Sequence, residues 1–529
     1  MDDASKCLPS RVVFQDASYE LKPGDTLLEA FLRGGADVDF SCRRGSCQVC
    51  LLQTVSGDPG PDASAGLRAD QREAGLFLAC QARPQGELSV AKPDLNKLTV
   101  PIHLTERERL SPTVVRLVFE PESALPWKAG QFIVLTHPSG EQRSYSIASV
   151  DELDFVLELH VREVRGGLVS NWLCSELEIG EVLLMRGPAG ACIYNPEHTD
   201  RDLLLIAGGT GLAPLIGVAR DALHQGHKGH ITLLHGVAAQ ADLYLHKRLR
   251  DLETAHSNLT YEAWVTEDCP ESVEGVEQGG VVDAAFRVDR SECVLYLAGP
   301  PGMVHAARYR AVLSGVARTD VFADPFDDAR PTMPDDAGTL SRVPPDPELW
   351  EALEGGPGLN TILRDFYDFA YEDARLAPFF HNITKQRAIE KQYEFLSSVF
   401  MGTKHYFGAR PFNAHHWMII SDALFDYREL CFEASVRRYG MAEHLIRRWL
   451  AFHELFRAVI VKSEQRGTVI DGVERNEQGY RKEVLSIDSL CDGCYTEIAA
   501  GTPARHHLLT GKLYCDSCGP QSAAQNIHR

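Results

Sequence analysis

Four cysteines in the N-terminal part of the chain have the spacing of an iron–sulfur site. Cys42, Cys47 and Cys50 lie in the run SCRRGSCQVC, and Cys80 follows in LAC. A C-x4-C-x2-C group with a distant fourth cysteine is the plant-type pattern for a [2Fe–2S] cluster. A structural zinc site is the alternative, although zinc ribbons favour paired CxxC units. The spacing therefore predicts four thiolate ligands, three of them on one tight loop.

A second set of cysteines lies near the C-terminus. Cys491 and Cys494 form CDGC, and Cys515 and Cys518 form CDSC. Two such pairs match a four-cysteine zinc ribbon, although spacing alone does not separate zinc from a rubredoxin-like iron. No basic and aromatic surface surrounds the pairs. We therefore expect residues 486–520 to form a structural staple or docking unit and not a nucleic-acid finger.

Two glycine-containing turns follow apolar runs of strand length, LLLI and VLYL. The turn residues are Gly208, Gly209, Thr210 and Gly211 in the first and Gly299 and Pro300 in the second. A buried strand that turns through glycines into a helix presents backbone N–H groups and a positive helix end to a phosphate. One such turn is a weak indication of a nucleotide site. Together with alternating strands and helices over residues 200–326, they predict a parallel α/β domain that binds a nucleotide.

Length, charge and cysteine usage bound the class of protein. A chain of 529 residues is too long for one core and predicts three to five domains. Its net charge of −21 argues against nonspecific binding to nucleic acid. No apolar run approaches the roughly 20 residues of a membrane span, and the acidic start is unlike a signal peptide. Six of the cysteines are scattered, as buried thiols in a reducing compartment would be, so we expect a cytoplasmic protein without a membrane partner.

Residues 98–199 alternate as strands do and predict a small antiparallel barrel. The first motif of this segment is Arg143, Ser144, Tyr145 and Ser146, and the second is Gly166, Gly167, Leu168, Val169 and Ser170. Both motifs precede the glycine turns GGTG and AGPPGM along the chain. In this order, they resemble the motifs of the ferredoxin–NADP reductase superfamily. Residues 10–94 likewise resemble a plant-type ferredoxin, a small β-grasp domain. The first 326 residues as a whole resemble the reductase components of bacterial ring-hydroxylating oxygenases.

The resemblance implies roles for single residues. Arg143 would pair with the FAD pyrophosphate, Tyr145 would pack on the isoalloxazine, and Ser146 would hydrogen-bond near its reactive nitrogen. The glycine–serine turn would bind phosphate through backbone N–H groups. Ser146 and Thr210 are the predicted catalytic residues of this half, and Phe326 is either the aromatic that covers the flavin or a core residue. Ala298 stands where the family usually has cysteine.

The same resemblance indicates which nucleotide is used and what becomes of its electrons. No arginine for a ribose 2′-phosphate follows the run HGV after the second strand, which favours NADH over NADPH. FAD would accept a hydride and pass single electrons to the cluster.

Residues 327–347 are rich in proline and lack apolar periodicity, which predicts an extended, semi-rigid linker.

Residues 348–465 have helical periodicity and resemble a truncated haemoglobin in the blocks ILRDFYDFAYEDARLAPFF, KQYEF and HHWMIIS. The resemblance makes His415 the proximal ligand of a haem b iron, with His416 as its rival. Tyr367 and Gln392 would be the distal catalytic residues, because a hydroxyl and an amide can hydrogen-bond to a small diatomic ligand such as O2 or NO.

Three functions are compatible with this organisation. The leading hypothesis is an electron-transfer chain from NADH through FAD and [2Fe–2S] to its own haem, with nitric oxide dioxygenation as the chemistry. The second is a reductase whose cluster serves a separate oxygenase, with the globin as an oxygen sensor or store. The third is a sensing and docking module, made of the globin and the zinc ribbon, without turnover of its own.

Overall fold

The computed structural model describes residues 11–518, apart from 16, 23–24, 41, 44, 46, 95–97, 124, 268–273, 327–335, 381–382, 404–405, 407–408, 463–465, 471–472, 476–479, 486–488, 492–493 and 508–512. The described residues form a ferredoxin unit, an antiparallel unit, a parallel α/β unit, a helical unit and a small C-terminal unit. Within those residues, no helix combines the length and the apolar character that crossing a membrane requires.

The ferredoxin unit is a mixed sheet crossed by a helix. Its elements are β1 (Arg11–Phe14), β2 (Ala17–Glu20), α1 (Leu27–Arg33), β3 (Leu51–Ser56), α2 (Ala69–Glu73), β4 (Leu76–Leu78) and β5 (Glu87–Ala91). The strand order is β2-β1-β5-β3-β4, and β1 pairs parallel with β5. Alternation along β1 buries Val12 and Phe14, and Phe31 of α1 packs on Phe14. The described residues between α1 and β3 form neither helix nor strand, and they include the first three cysteines.

The second unit is antiparallel, as its alternating sequence predicts. Its elements are β6 (Thr99–Arg109), β7 (Val114–Pro121), β8 (Phe132–Thr136), β9 (Gln142–Ser146), α3 (Asp151–Asp154), β10 (Leu157–Arg162), α4 (Leu168–Asn171) and β11 (Val182–Ala189). The order β10-β7-β6-β11-β8-β9 folds around a core that includes Ile102, Phe119 and Leu159. This barrel-like sheet confirms the expected architecture.

The third unit is a parallel sheet covered by helices. Its elements are β12 (Leu203–Gly208), α5 (Leu212–His224), β13 (Ile231–Val237), α6 (His246–Ala255), β14 (Leu259–Val265), β15 (Val276–Gln278), α7 (Val281–Ala285), β16 (Val294–Gly299), α8 (Pro301–Ser314) and β17 (Val321–Pro325). The order is β15-β14-β13-β12-β16-β17, so the two strands with glycine turns, β12 and β16, are neighbours. Ligands of such sheets bind at the carboxyl ends of the strands, where both turns lie.

The fourth unit is helical and encloses a large cavity. Its helices are α9 (Asp336–Ser341), α10 (Pro347–Ala352), α11 (Pro357–Ala370), α12 (Lys385–Met401), α13 (Pro411–His415), α14 (Asp422–Tyr439), α15 (Glu443–Glu454) and α16 (Arg457–Ile460). The apolar stripe of α11 is buried, including Leu359, Ile362 and Phe366. Side-chain N-caps, Thr384 before α12 and Ser421 before α14, begin the two long helices.

The expectation of an extended linker is wrong for part of residues 327–347. Residues 327–335 lie outside the described residues, whereas the next residues form α9. Leu340 and Val343 are partly buried against the core of the helical unit. Leu340 lies in the last turn of α9 and Val343 follows the helix, so the end of this segment packs on the core, which its proline content obscures.

The helical unit is firmly anchored on the parallel α/β unit. Helix α8 packs against α15, and Val312 of α8 belongs to the apolar core of the helical unit. Arg318, just before β17, forms ion pairs with the buried Glu454 of α15 and, at 3.6 Å, with Glu429 of α14. These contacts place the two units in one packed body.

The C-terminal unit consists of short strands. They are β18 (Thr468–Ile470), β19 (Val473–Arg475), β20 (Tyr480–Val484), β21 (Ser489–Leu490), β22 (Glu497–Ile498), β23 (Pro503–His507) and β24 (Leu513–Tyr514). The segment predicted as a ribbon, 486–520, is described only in part, because 486–488, 492–493, 508–512 and 519–520 lie outside the described residues. Cys491 directly follows β21 and Cys515 directly follows β24, and Cys494 and Cys518 lie in the turns after them.

Candidate functional site

The four N-terminal cysteines come together as one buried group. Cys42, Cys47 and Cys50 lie on the loop before β3, Cys80 follows β4, and each is at most 5 % exposed. The backbone N–H of Cys47 donates to Cys42 Sγ at 3.3 Å, and that of Cys80 donates to Cys50 Sγ at 3.5 Å. Gly45, at a φ of +88°, provides the left-handed turn that such a tight loop needs. Four adjacent thiols approached by backbone donors fit the ligand set of a [2Fe–2S] cluster.

The cluster loop lies against the antiparallel unit through what we name the flavin-side contact. Cys42, Cys47 and Val49 pack on Phe132 and Val134 of β8. The buried Arg186 of β11 donates through Nη2 to the Gln48 carbonyl at 2.7 Å and to Gln142 Oε1 at 3.2 Å. The buried face thus combines apolar packing with one guanidinium bound to the backbone of the loop.

The first flavin motif lies on β9, beside the strand of the flavin-side contact. Arg143 is exposed, and its Nη2 donates to Glu141. Tyr145 is half-buried against the core of the antiparallel unit, and burial raises the pKa of its phenol. Ser144 is exposed, and Ser146 pairs with Phe132 in register.

Ser146 reaches the parallel α/β unit through a partly buried hydrogen bond. Its Oγ donates to Asp324 Oδ2 at 2.9 Å, and Asp324 lies on β17. Burial raises the pKa of Asp324, and the hydrogen bond from Ser146 partly offsets that rise. Sequence reasoning missed this aspartate, although it lies in the run FADPF that holds Phe326. The isolated carboxylate inside an apolar strand was the available indication.

The second flavin motif forms the start of α4. Gly166 has a φ of +77°, and a side chain at Gly167 would collide with Ser170 Oγ at 2.6 Å. Ser170 Oγ itself accepts from the Val164 N–H at 3.3 Å. The turn is therefore closed by Ser170, with Leu168 exposed and Val169 buried.

The two glycine turns of the nucleotide half approach each other closely. A side chain at Gly211 would meet the Ala298 carbonyl at 2.0 Å, and one at Gly208 would meet Pro300 at 2.7 Å. Gly299, at a φ of +133°, lies against the backbone of Gly208. Bare backbone at this crossing is what a nucleotide phosphate requires.

Further contacts fix the nucleotide loop and its surroundings. His235 donates through Nε2 to the Gly209 carbonyl at 3.0 Å, and burial lowers the pKa of His235 to about 4, so this imidazole is neutral. Thr210 is half-buried in the short helical turn after β12. Phe326 is half-buried, and its N–H donates to the Gly299 carbonyl at 2.8 Å.

The helical unit encloses a cavity of about 710 Å³, and the three residues predicted there line it: Tyr367, Gln392 and His415. The Nδ1–H of His415 donates to the Pro411 carbonyl at 2.8 Å, which leaves the lone pair on Nε2. Burial lowers the pKa of His415 to about 4, so the ring is neutral. A neutral imidazole with a fixed tautomer in a largely apolar cavity fits a haem ligand.

His416, the rival of His415, also lines the cavity, with its Nδ1 donating to the Asn413 carbonyl at 2.6 Å. The buried Tyr367 packs edge-on to Phe366 and Phe380, and burial raises the pKa of its phenol. The sequence did not indicate Arg428, which lines the same cavity.

A second interface, which we name the globin-side contact, joins the ferredoxin unit to the helical unit. Arg83 donates through Nη2 to the Ile419 carbonyl at 2.5 Å, and its guanidinium lies 5.1 Å from the Phe379 ring centre. Arg375 Nε lies 2.9 Å from Asp62 Oδ1. No sequence motif pointed to this contact.

The C-terminal cysteines also meet. The sulfur atoms of Cys491, Cys494, Cys515 and Cys518 all lie within 4.8 Å of one another. Cys491 is buried, whereas Cys494 is exposed. Four converging sulfurs suggest a metal site.

Comparison with known families divides the chain as its units do. Residues 13–85 match the 2Fe-2S iron-sulfur cluster binding domain, and 101–194 match the oxidoreductase FAD-binding domain. Residues 205–309 match the oxidoreductase NAD-binding domain, and 348–461 match the bacterial-like globin. FAD, NAD, [2Fe–2S] and haem domains are therefore present in one chain.

Curated relatives resemble the reductase part. The reductase subunit of an aromatic O-demethylase from Amycolatopsis is 37% identical over 302 residues, which cover 54% of this chain and 89% of the relative. The reductase component of phenol 2-monooxygenase from Pseudomonas is 31% identical over 341 residues, which cover 61% of this chain and 94% of the relative. The solved structure of the cytochrome P450 reductase GcoB of Amycolatopsis is 33% identical and has a TM-score of 0.44. The match covers 60% of this chain and 99% of GcoB.

Proposed function

Since this chain belongs to the family of flavin and [2Fe–2S] reductase components of oxygenase systems, we propose that it is such a reductase joined to its own acceptor, the globin. NADH would be the donor and the globin haem the end of the chain. The chemistry at the haem would be that of a small diatomic ligand, with nitric oxide dioxygenation as the main candidate. FAD, when bound, supplies the conversion of a two-electron hydride into single electrons that a cluster can take.

The globin-side contact is the observation that carries this proposal. Arg83 is three positions after Cys80, and the carbonyl it binds, that of Ile419, is four positions after His415. The contact thus joins the backbone segments that carry the proposed cluster ligand and the proposed haem ligand. Because electron transfer inside proteins requires the two centres to lie near each other, this juxtaposition favours the chain's own globin as acceptor.

In the proposed order of electron transfer, the flavin and NADH sites of the reductase half precede the globin-side contact. Ser146 and Asp324 would hold a donor–acceptor pair beside the flavin ring, and Arg143 would pair with its pyrophosphate. The glycine turns Gly208–Gly211 and Gly299-Pro300 would receive the NADH pyrophosphate on bare backbone. Thr210 and Phe326 would complete the surroundings of the nicotinamide and of the flavin face.

In the globin, His415 would ligate the haem iron through Nε2, and Pro411 would keep its ring oriented. Tyr367 and Gln392 would donate hydrogen bonds to a diatomic ligand in the same cavity. Holding both units on one chain replaces a bimolecular encounter by a high effective concentration. The four C-terminal cysteines would bind zinc as a structural site, and the buried thiols of Cys174, Cys192 and Cys293 fit a cytoplasmic protein.

The test is anaerobic reduction of the holoprotein by NADH under carbon monoxide, with the haem Soret band followed in time. Rapid appearance of the ferrous–CO spectrum is expected, followed in air by NADH-dependent consumption of nitric oxide. Bleaching of flavin and cluster with a haem that stays ferric would contradict the proposal.

The second candidate is a reductase for a separate oxygenase. It is favoured by the relatives, whose names make them components of such systems and of whose length this chain covers 89% and 94%. In that case NADH consumption would require an added oxygenase, and the haem would remain ferric in the same anaerobic assay.

A further inference from the structure

Arg428 places a positive charge in the wall of the haem cavity, beside the groups predicted to act there. It lies on α14 and lines the cavity together with Tyr367, Gln392 and His415. Its guanidinium lies 4.8 Å from the ring centres of both Phe366 and Phe432, and its side chain keeps 25% exposure. A guanidinium that lies over two aromatic rings is stabilised there without losing its charge.

The hydrogen bonds of Arg428 leave part of its donor capacity available. Nη1 binds Glu429 and lies 3.2 Å from His453 Nδ1. Within the described part of the chain, Nε and Nη2 make no hydrogen bond. A guanidinium carries five N–H donors, so three of those on Arg428, at Nε and Nη2, remain available on a side chain that borders the cavity.

Glu429, the carboxylate beside Arg428, pairs with other groups as well as with Arg428. Glu429 is 1% exposed and is also the partner of His453 Nδ1, at 3.0 Å, and of Arg318, at 3.6 Å. Burial raises the pKa of Glu429, but His453, Arg428 and Arg318 together lower it further, so Glu429 is charged. Arg428 therefore shares the charge of Glu429 with Arg318, which comes from the NAD-binding unit and is also paired with Glu454.

We propose that Arg428 makes the haem cavity selective for small anions, whose negative charge it holds beside the iron site. The chemical class is a monoanion with lone pairs directed at the guanidinium, such as azide or nitrite. Neutral diatomic ligands gain much less from the same group, because the attraction is electrostatic and acts inside a low-dielectric cavity. The inference rests on a haem in this cavity and not on the route by which electrons reach it.

The experiment is azide titration of the ferric holoprotein, followed by the shift of the Soret band, for the native chain and Arg428→Met. Loss of a charge-assisted hydrogen bond predicts that azide affinity falls about ten- to a hundredfold. Carbon monoxide affinity of the dithionite-reduced haem should change less than about threefold. The matched control is Arg437→Met on the same helix, whose guanidinium lies at the surface with Glu433 and Glu443.

Two outcomes with Arg428→Met would overturn the inference, and a third comes from Glu429→Gln. One is azide affinity that is unchanged in Arg428→Met while the haem dissociates faster, which would make Arg428 a partner of a haem propionate. The other is an equal loss of azide and carbon monoxide affinity, which would indicate altered cavity shape. Glu429→Gln should change azide affinity in the opposite direction, because removal of the compensating negative charge should tighten azide binding. Unchanged or weaker azide binding in this variant would contradict the role of the Arg428 charge.

Discussion

The ferredoxin unit has two contacts of different construction, one toward the flavin-binding unit and one toward the globin. The flavin-side contact is buried and mostly apolar, with Arg186 only 6% exposed. The globin-side contact is polar, and its ion pair joins Arg375 and Asp62 side chains that keep 38% and 21% exposure. Buried apolar contacts are typical of permanent interfaces, whereas exposed ion pairs contribute little to stability.

The difference indicates how the globin, the acceptor proposed above, can be held without disturbing the reductase units. The globin is anchored on the NAD-binding unit, where Val312 enters its core and Arg318 pairs with Glu454. The globin-side contact therefore need not hold the globin in place. It has only to align the segment after Cys80 with the segment after His415.

The largest effect is expected from removal of the [2Fe–2S] cluster, which would lie between the two contacts. Cys42→Ser replaces a thiolate by a poor iron ligand, so the cluster should be lost. NADH should then still bleach the flavin, while haem reduction under carbon monoxide falls more than about a hundredfold, because the proposed route passes single electrons from the flavin to the haem through the cluster. A hundredfold loss corresponds to about 2.7 kcal/mol in the barrier. The control is Cys431→Ser, a cysteine outside both metal sets. Haem reduction at the native rate in Cys42→Ser would exclude a route through the cluster.

Arg186→Met tests the flavin-side contact. It leaves the Gln48 carbonyl without its donor and removes a positive charge beside the cluster loop. An unsatisfied buried acceptor costs about 1–3 kcal/mol, so the free energy of unfolding should fall by that amount. Cluster reduction, followed by stopped-flow absorbance, should slow about tenfold with unchanged flavin reduction, because the loop is less well held. Arg109→Met, an exposed arginine of β6, should behave as the native chain; equal rates in both variants would contradict the role of Arg186.

The two contacts also show where sequence reasoning succeeds and where it stops. Cysteine spacing and glycine turns predicted the domain types, because each motif is local and its chemistry requires fixed intervals. Arg83, Arg186 and Arg428 carry no such pattern, since an arginine gains its role only from the unit that folds against it. Asp324 was missed for a related reason, as its partner Ser146 is far away in the chain. The positions predicted for cofactor contact remain predictions until a loaded protein is studied.

Arg83→Met tests the globin-side contact. The Ile419 carbonyl loses its donor and the Phe379 ring loses its guanidinium neighbour, so the alignment of the two segments should relax. Haem reduction should slow about tenfold, while flavin and cluster reduction keep their native rates. The elution volume of the protein should not change, since α8 and α15 still hold the globin. Arg68→Met, an exposed arginine of the same unit, is the control, and native haem reduction in Arg83→Met would assign the contact to packing alone.

The smallest effect is expected from the exposed ion pair. Arg375→Gln removes an interaction that contributes at most about 1 kcal/mol, so haem reduction should slow no more than about threefold. Because salt screens exposed charges, the difference between this variant and the native chain should disappear near 1 M salt, where the screening length is about 3 Å. Asp62→Asn should give the same loss, and the double variant should lose no more than either single one. Additive losses in the double variant would show that the two side chains act separately, and the globin-side contact would then depend on Arg83 alone.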